Sequence, residues 1–233
     1  MNSAESSADS GAALASRATG TVTGTCTVLI PAFNEADTIG SVVQVARLAG
    51  LGRVLVVDDG SQDDTAEVAR RAGGEVIELR RNLGKGGAVA AGLALTDSDV
   101  IVLVDADLVG LTSAHIRSLA EPVVSGSANM TRGVFTGGRW RTTAAQRLTP
   151  QLSGQRATRR ELLLRVPQLA RTRYGIEVAI TNTARREGWR CRDVRLEGVS
   201  QVMKEEKRGV LAGLAVRLRM YRDILATLLY RRK

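Results

Sequence analysis

The sequence predicts an α/β protein: a mostly parallel sheet with helices on both faces and an amphipathic helix at its C-terminus. Three observations carry this reading. Short β-rich runs alternate with helical patterns over residues 25–107, at the pitch of βαβ units. Two of those runs, 53–57 and 99–104, are nearly continuous in Val, Leu and Ile, as strands covered on both faces are. The unusual polar residues gather directly after each run, at the sheet edge where such folds bind ligands.

The elements follow in order. Residues 1–24 are rich in Ser, Ala, Gly and Thr without an apolar period, and read as a disordered tail. A strand at 25–30 is halted by Pro31, and further strands are expected at 53–57, 75–79 and 99–104. Helical patterns occupy 38–48, 64–72 and 85–95. The pattern then loosens. Residues 131–174 hold ten arginines against one acid, Glu161. A helix is expected over 174–187 and a strand over 191–196. A leucine stripe with basic residues off it marks a helix near 209–230.

Composition excludes several functions. No apolar run approaches the roughly 20 residues of a membrane span. Cys26 and Cys191 are too few for a disulfide framework, and His115 is the sole histidine, so a His-rich metal site is impossible. The formal charge of +9 favours anionic partners, yet only 3% of residues are aromatic, which argues against single-stranded nucleic acid.

The loops after the strands carry the chemistry. Pro31-Ala32-Phe33-Asn34-Glu35 places an acid at the ligand edge, with Asn34 as a candidate helix cap. Asp58 and Asp59 repel each other, a cost that a bound partner or hydrogen-bond donors must offset. Asn82-Leu83-Gly84-Lys85-Gly86-Gly87 combines glycines, free N–H groups and a cation, a cradle for an anion, without the spacing of a Walker loop. Asp105 and Asp107 leave their strand pointing the same way, about 7 Å apart, hard ligands suited to Mg²⁺ or Mn²⁺ shared with a diphosphate.

These four segments together resemble the family 2 glycosyltransferases, whose catalytic domain has the GT-A fold. The match runs through Val28 to Glu35, Val54 to Ser61 with Asp63 and Thr65, Asn82 to Gly86, and Asp105 to Asp107. In the second half, Ser153 to Ala157, Arg173 to Glu177 and Met203 to Lys207 resemble the branch of polyprenyl-phosphate glycosyltransferases and glucosyl-3-phosphoglycerate synthases. The resemblance implies inverting transfer of a hexose from a UDP- or GDP-sugar to a phosphorylated acceptor, a polyprenyl phosphate or a small acid. By position it implies that Pro31, Phe33 and Glu35 line the nucleotide pocket and that Asp59 bonds the base. Lys85 would lie near the base and phosphates, and Asp105 near the ribose and metal. Asp107 would ligate the metal directly, and Glu177 would be the base for an acceptor hydroxyl. Gln155 and Arg156 are candidates for acceptor or sugar contact. That branch often has a histidine before the Lys-Glu-Glu-Lys segment; here Gln201 is the nearby oxygen ligand. His115 reads as a surface or satisfied histidine rather than a metal ligand.

The resulting organisation is a tail at 1–24, a catalytic domain at 25–207 and a basic amphipathic helix at 208–233. Within the domain, 25–110 is the nucleotide half and 111–207 the acceptor half. The last thirty residues of the chain, 204–233, carry +6, and the helix within them is expected to face an anionic membrane or a homodimer partner. A cytoplasmic setting is expected, with the inner membrane face as the alternative should that helix dock there. The rival readings are a pyrophosphorylase-like nucleotidyltransferase, which lacks its Gly-rich Arg loop here, and a catalytically degenerate sugar-nucleotide or anionic-surface binding protein.

Overall fold

In the computed structural model, residues 25–136 and 153–201 are described. The tail at 1–24, Arg139, Arg141, Arg147, the 203–207 segment and the helix expected at 208–233 lie outside them.

The chain runs β1 (Cys26–Ala32), α1 (Ala36–Leu48), β2 (Gly52–Asp58), α2 (Thr65–Arg71), β3 (Glu75–Glu78), α3 (Lys85–Ala94), β4 (Val100–Leu103) and β5 (Leu108–Val109). It continues through α4 (Ser113–Val124), β6 (Met130–Thr136), β7 (Arg156–Arg159) and α5 (Arg160–Leu163) to two 3₁₀ turns, Leu169–Arg171 and Arg173–Gly175. Helix α6 (Ile176–Arg186), β8 (Cys191–Glu197) and β9 (Ser200–Gln201) follow.

Among the described residues, seven strands form one sheet in the order β3-β2-β1-β4-β7-β6-β8. β1 pairs in parallel with β2 and β4, β2 with β3, and β6 with β8. β7 runs antiparallel to both β4 and β6. The mostly parallel α/β sheet expected from the sequence is therefore present.

Strand alternation splits the core into two layers. Val28, Ile30, Val54, Val56, Val100 and Val102 face Ile39, Val42 and Val43 of α1 and Ile116, Leu119 and Val123 of α4. Leu29, Leu55, Val57, Ile101 and Leu103 face the other way, onto Ala88, Val89 and Leu93 of α3 and Ile176 and Ile180 of α6. Each of these strand residues is 6% exposed or less, which is why β2 and β4 read as unbroken apolar runs.

Three local expectations need correction. β1 does not stop at Pro31, because Pro31 and Ala32 still pair with Val57 and Asp58. The N–H that Pro31 lacks would face β4, and that ladder ends at the Leu29–Leu103 pair, so nothing is lost. Asn34 does not cap α1; it takes a left-handed φ of 54° and bonds the next loop instead. The arginine-rich middle contains two strands, β6 and β7, with Arg132 paired to Asp193 across β6 and β8 at 2.7 Å. His115 is satisfied as expected: its Nδ1 accepts from the Thr112 N–H while Thr112 Oγ1 accepts from the His115 N–H, a capping box at the start of α4.

Candidate active site

The parallel strands β1 to β4 deliver their following loops to one edge, and those loops are bonded to one another. The Asn34 N–H donates to Ser61 Oγ at 2.9 Å, and Asn34 Oδ1 accepts from the Gln62 N–H at 2.8 Å. The Glu35 N–H donates to Thr65 Oγ1 at 2.8 Å. Asp63 accepts from the N–H groups of Ala36 and Thr65 at 3.3 and 3.1 Å. Pro31, Phe33 and Glu35 thus stand on a loop fixed to the loop after β2, with Glu35 buried and the other two half-buried.

The adjacent carboxylates of Asp58 and Asp59 are both 3% exposed, and both are offset by donors from the chain itself. Asp58 Oδ1 accepts from the N–H and hydroxyl of Ser61. The two oxygens of Asp59 accept one bond each, at 2.7 Å, from the N–H groups of Leu83 and Gly84. The glycine loop before α3 does present N–H groups to an anion, and that anion is Asp59. Burial raises the Asp59 pKa, against the pull of those two bonds.

Lys85, the first residue of α3, extends from this clamp into a cluster of carboxylates. Its Nζ lies 2.6 Å from Asp105 Oδ1 and 2.5 Å from Glu177 Oε1. Burial pulls the ammonium's pKa down, but Asp105 and Glu177 outweigh it and the net shift is upward. Asp105 Oδ2 accepts from Gln155 Nε2 at 2.8 Å and from Gln201 Nε2 at 3.0 Å. The same Gln201 amide reaches Asp107 Oδ1 at 3.4 Å. Gln201 arrives there because β9 pairs antiparallel with β5, directly after Asp107. Ser153 Oγ donates to Gln155 Oε1 at 3.2 Å. Between them, Gly154 packs so closely that a β-carbon there would collide with the Asp105 carboxylate and Lys85 Nζ.

Six expected residues therefore form one network: Lys85, Asp105, Asp107, Gln155, Glu177 and Gln201. Asp59 joins it through the backbone at Gly84. Arg156 does not face it as a contact group. The side chain is 1% exposed, because strand alternation sends Gln155 to the site and Arg156 beneath it. Its Nε donates to the Ser153 carbonyl at 2.8 Å and its Nη1 to Thr181 Oγ1 at 3.0 Å. Burial lowers the guanidinium pKa to about 10, opposed by the charge of Glu177. Thr181 was not singled out from the sequence, and Gly154 only as part of the Ser153–Ala157 match.

Lys85 pairs with two carboxylates, Asp105 and Glu177, and Asp107 stands beside them through the Gln201 amide. Among the described residues there is no group of three or more His, Cys, Asp or Glu side chains placed to hold a metal. The donor set is instead Asp105, Asp107 and the Gln201 amide, all capable of oxygen ligation and suited to a hard divalent ion with open positions. The Gln201 Nε2–H reaches both Asp105 and Asp107, so the two carboxylates converge on one donor, an arrangement that fits a shared hard cation with the amide turned to present its oxygen.

Fold and site define a glycosyltransferase. A model of glycosyl transferase family 2 matches residues 27–181, and the chain belongs to that family. The glucosyl-3-phosphoglycerate synthase of Mycolicibacterium smegmatis is 31% identical over 89% of this chain and 77% of its own length. A crystal structure of the Mycobacterium tuberculosis glucosyl-3-phosphoglycerate synthase, in complex with Mn²⁺, UDP-glucose and phosphoglyceric acid, superposes with a TM-score of 0.71 at 28% identity. It covers 90% of this chain, which covers 80% of it, and the GT-A expectation holds. An undecaprenyl-phosphate 4-deoxy-4-formamido-L-arabinose transferase of Klebsiella pneumoniae is 39% identical, over 35% of this chain and 28% of its own. Among the described residues no helix is long and apolar enough to cross a membrane.

Proposed function

We propose that the protein transfers glucose from UDP-glucose to the free hydroxyl of 3-phosphoglycerate, with inversion and with Mg²⁺ or Mn²⁺ as cofactor. The observation that carries this reading is the Lys85–Glu177 pair, which sets a carboxylate of the acceptor half against the cation of the nucleotide half. A small phosphorylated acid is favoured over a polyprenyl phosphate. The synthase likeness spans nearly the whole chain, whereas the polyprenyl-phosphate likeness spans about a third of it.

In this reading the loops after β1 and β2, with Pro31, Phe33, Glu35 and Asp59, shape the nucleotide pocket. Asp107 with Asp105 and the Gln201 oxygen would hold the cation. When bound, the cation offsets charge growing on the departing diphosphate. Lys85 adds a fixed positive charge at the same place without needing to reorganise. Gln155 orients Asp105 and offers its amide to sugar or acceptor. The acceptor hydroxyl oxygen forms the new bond to the anomeric carbon, its proton passes to Glu177, and the broken bond's electrons leave with UDP. Lys85 keeps the Glu177 carboxylate turned toward the site.

The test is to incubate the protein with UDP-glucose, 3-phosphoglycerate and Mn²⁺ or Mg²⁺, and to follow UDP release and the glucosylated acid. Product formation, lost in Glu177→Gln, is expected. UDP-glucose turnover confined to polyprenyl phosphate, or none with any acceptor, would overturn the reading.

A further inference from the structure

Arg156 is the largest fully buried side chain among the described residues, and the transfer reaction as described above makes no use of it. Its surroundings are specific. Nε–H points at the carbonyl of Ser153, in the turn that packs Gly154 on the Lys85–Asp105 pair and hands Gln155 to Asp105. Nη1–H points at the hydroxyl of Thr181, which itself donates to the Glu177 carbonyl at 2.7 Å, one turn back along α6. The planar fork therefore joins the turn that sets Asp105 to the helix that carries Glu177, over a path of three hydrogen bonds.

A buried cation is an expensive way to fill space, since an apolar side chain of similar volume does so at equal or lower free energy. A guanidinium differs in holding two partners at a fixed angle, which neither Met nor Lys can do. We propose that Arg156 is a positioning residue for the transfer reaction, locking the Glu177 helix to the Gln155–Asp105 turn so that the carboxylate meets its partners at working distance. The inference rests on the glucosyl transfer proposed above.

The experiment compares Arg156→Met, Arg156→Lys and Thr181→Val in the full chain by melting temperature, steady-state kinetics and crystal structure. Arg156→Met is expected to fold with a melting temperature near wild type and to lose kcat by about tenfold or more, with KM for UDP-glucose and 3-phosphoglycerate within about twofold. Arg156→Lys is expected to recover part of that kcat, and Thr181→Val to show a smaller fall of the same kind. The double variant Arg156→Met/Thr181→Val is expected to be no slower than Arg156→Met, because both act through one link. A tenfold rise in KM for 3-phosphoglycerate at unchanged kcat would make Arg156 an acceptor contact and overturn the proposal. Unchanged kinetics in a folded Arg156→Met would overturn it equally. If Arg156→Met does not fold, a wild-type kcat in Thr181→Val is the overturning result. If the wild-type protein glucosylates no 3-phosphoglycerate, the functional reading has failed separately. The positioning role is then read from the Lys85–Glu177 spacing in the crystals: widened in the variants it stands, unchanged it falls.

Discussion

Lys85 Nζ lies 2.5 Å from Glu177 Oε1, joining the first residue of α3 to the first turn of α6 across 92 residues of sequence. The same ammonium holds Asp105, so removing it leaves two neighbouring carboxylates facing each other. Breaking such a pair from one side costs roughly 3–5 kcal/mol when fully buried. Lys85 is 19% exposed, so Lys85→Met is expected toward the low end of that range. Thermal melts should show the loss, and UDP-glucose binding by calorimetry should weaken at least tenfold.

Asp107→Ala is expected to keep the fold, since Asp107 emerges after β4 and outside the apolar layers. If Asp107 holds the cation, its loss should cost at least the roughly 10–100-fold in activity typical of a weakened metal site. Metal titrations followed by activity should show a matching rise in the Mn²⁺ concentration needed for half-maximal rate. A variant saturating at the wild-type concentration would remove Asp107 from the metal site.

Gly154→Ala inserts a β-carbon against the Asp105 carboxylate and Lys85 Nζ. Overpacking typically costs about 1–3 kcal/mol. Here the atoms that must yield are the ends of two site side chains, so activity should fall further than stability. Comparing kcat/KM with melting temperature in this variant checks the order of the two losses.

Asp63 is set to respond to acid. Burial pushes its carboxyl up, but the hydrogen bonds from Thr65 and Ala36 outweigh that and hold its pKa below the ordinary value. The stabilisation is present above the unfolded pKa near ~4 and is lost as pH falls through the folded value. Urea melts over pH 2–7 should therefore show a shallower acid limb in Asp63→Asn than in wild type.

The thiols should separate by position. Cys26 is buried in β1 and its pKa is pushed up to about 11, whereas Cys191 is exposed at the start of β8, with its pKa also raised by partial burial. Iodoacetamide at pH 8 is expected to label Cys191 slowly in the folded protein and Cys26 only after denaturation. Mass spectrometry of the labelled peptides decides this.

Much of the first half was legible because β1, β2 and β4 are wrapped on both faces, and their Val, Leu and Ile runs say so directly. β6 and β7 were not. Thr131 and Arg132 in one, and Arg156 and Thr158 in the other, are polar residues with partners in distant segments. Thr131 Oγ1 donates to the Leu119 carbonyl at 2.7 Å and Thr158 Oγ1 to the Asn129 carbonyl at 3.0 Å. The acidic loops were visible as types and spacings, but which of them the chain itself satisfies was not. Asp59 looked unpaired beside Asp58 because its donors, Leu83 and Gly84, belong to the loop after the next strand. Arg156 was misplaced for the same kind of reason: a strand in an arginine-rich stretch gives no hint of which face is inward until its neighbours are known.

The reversed strand β7 sits between β4 and β6, although it is made after both. Val100–Leu103, buried in the finished protein, therefore has an unpaired backbone edge on that side in any folding intermediate in which β7 has not yet docked. Such an intermediate is the form of this chain most open to edge-to-edge pairing with another copy.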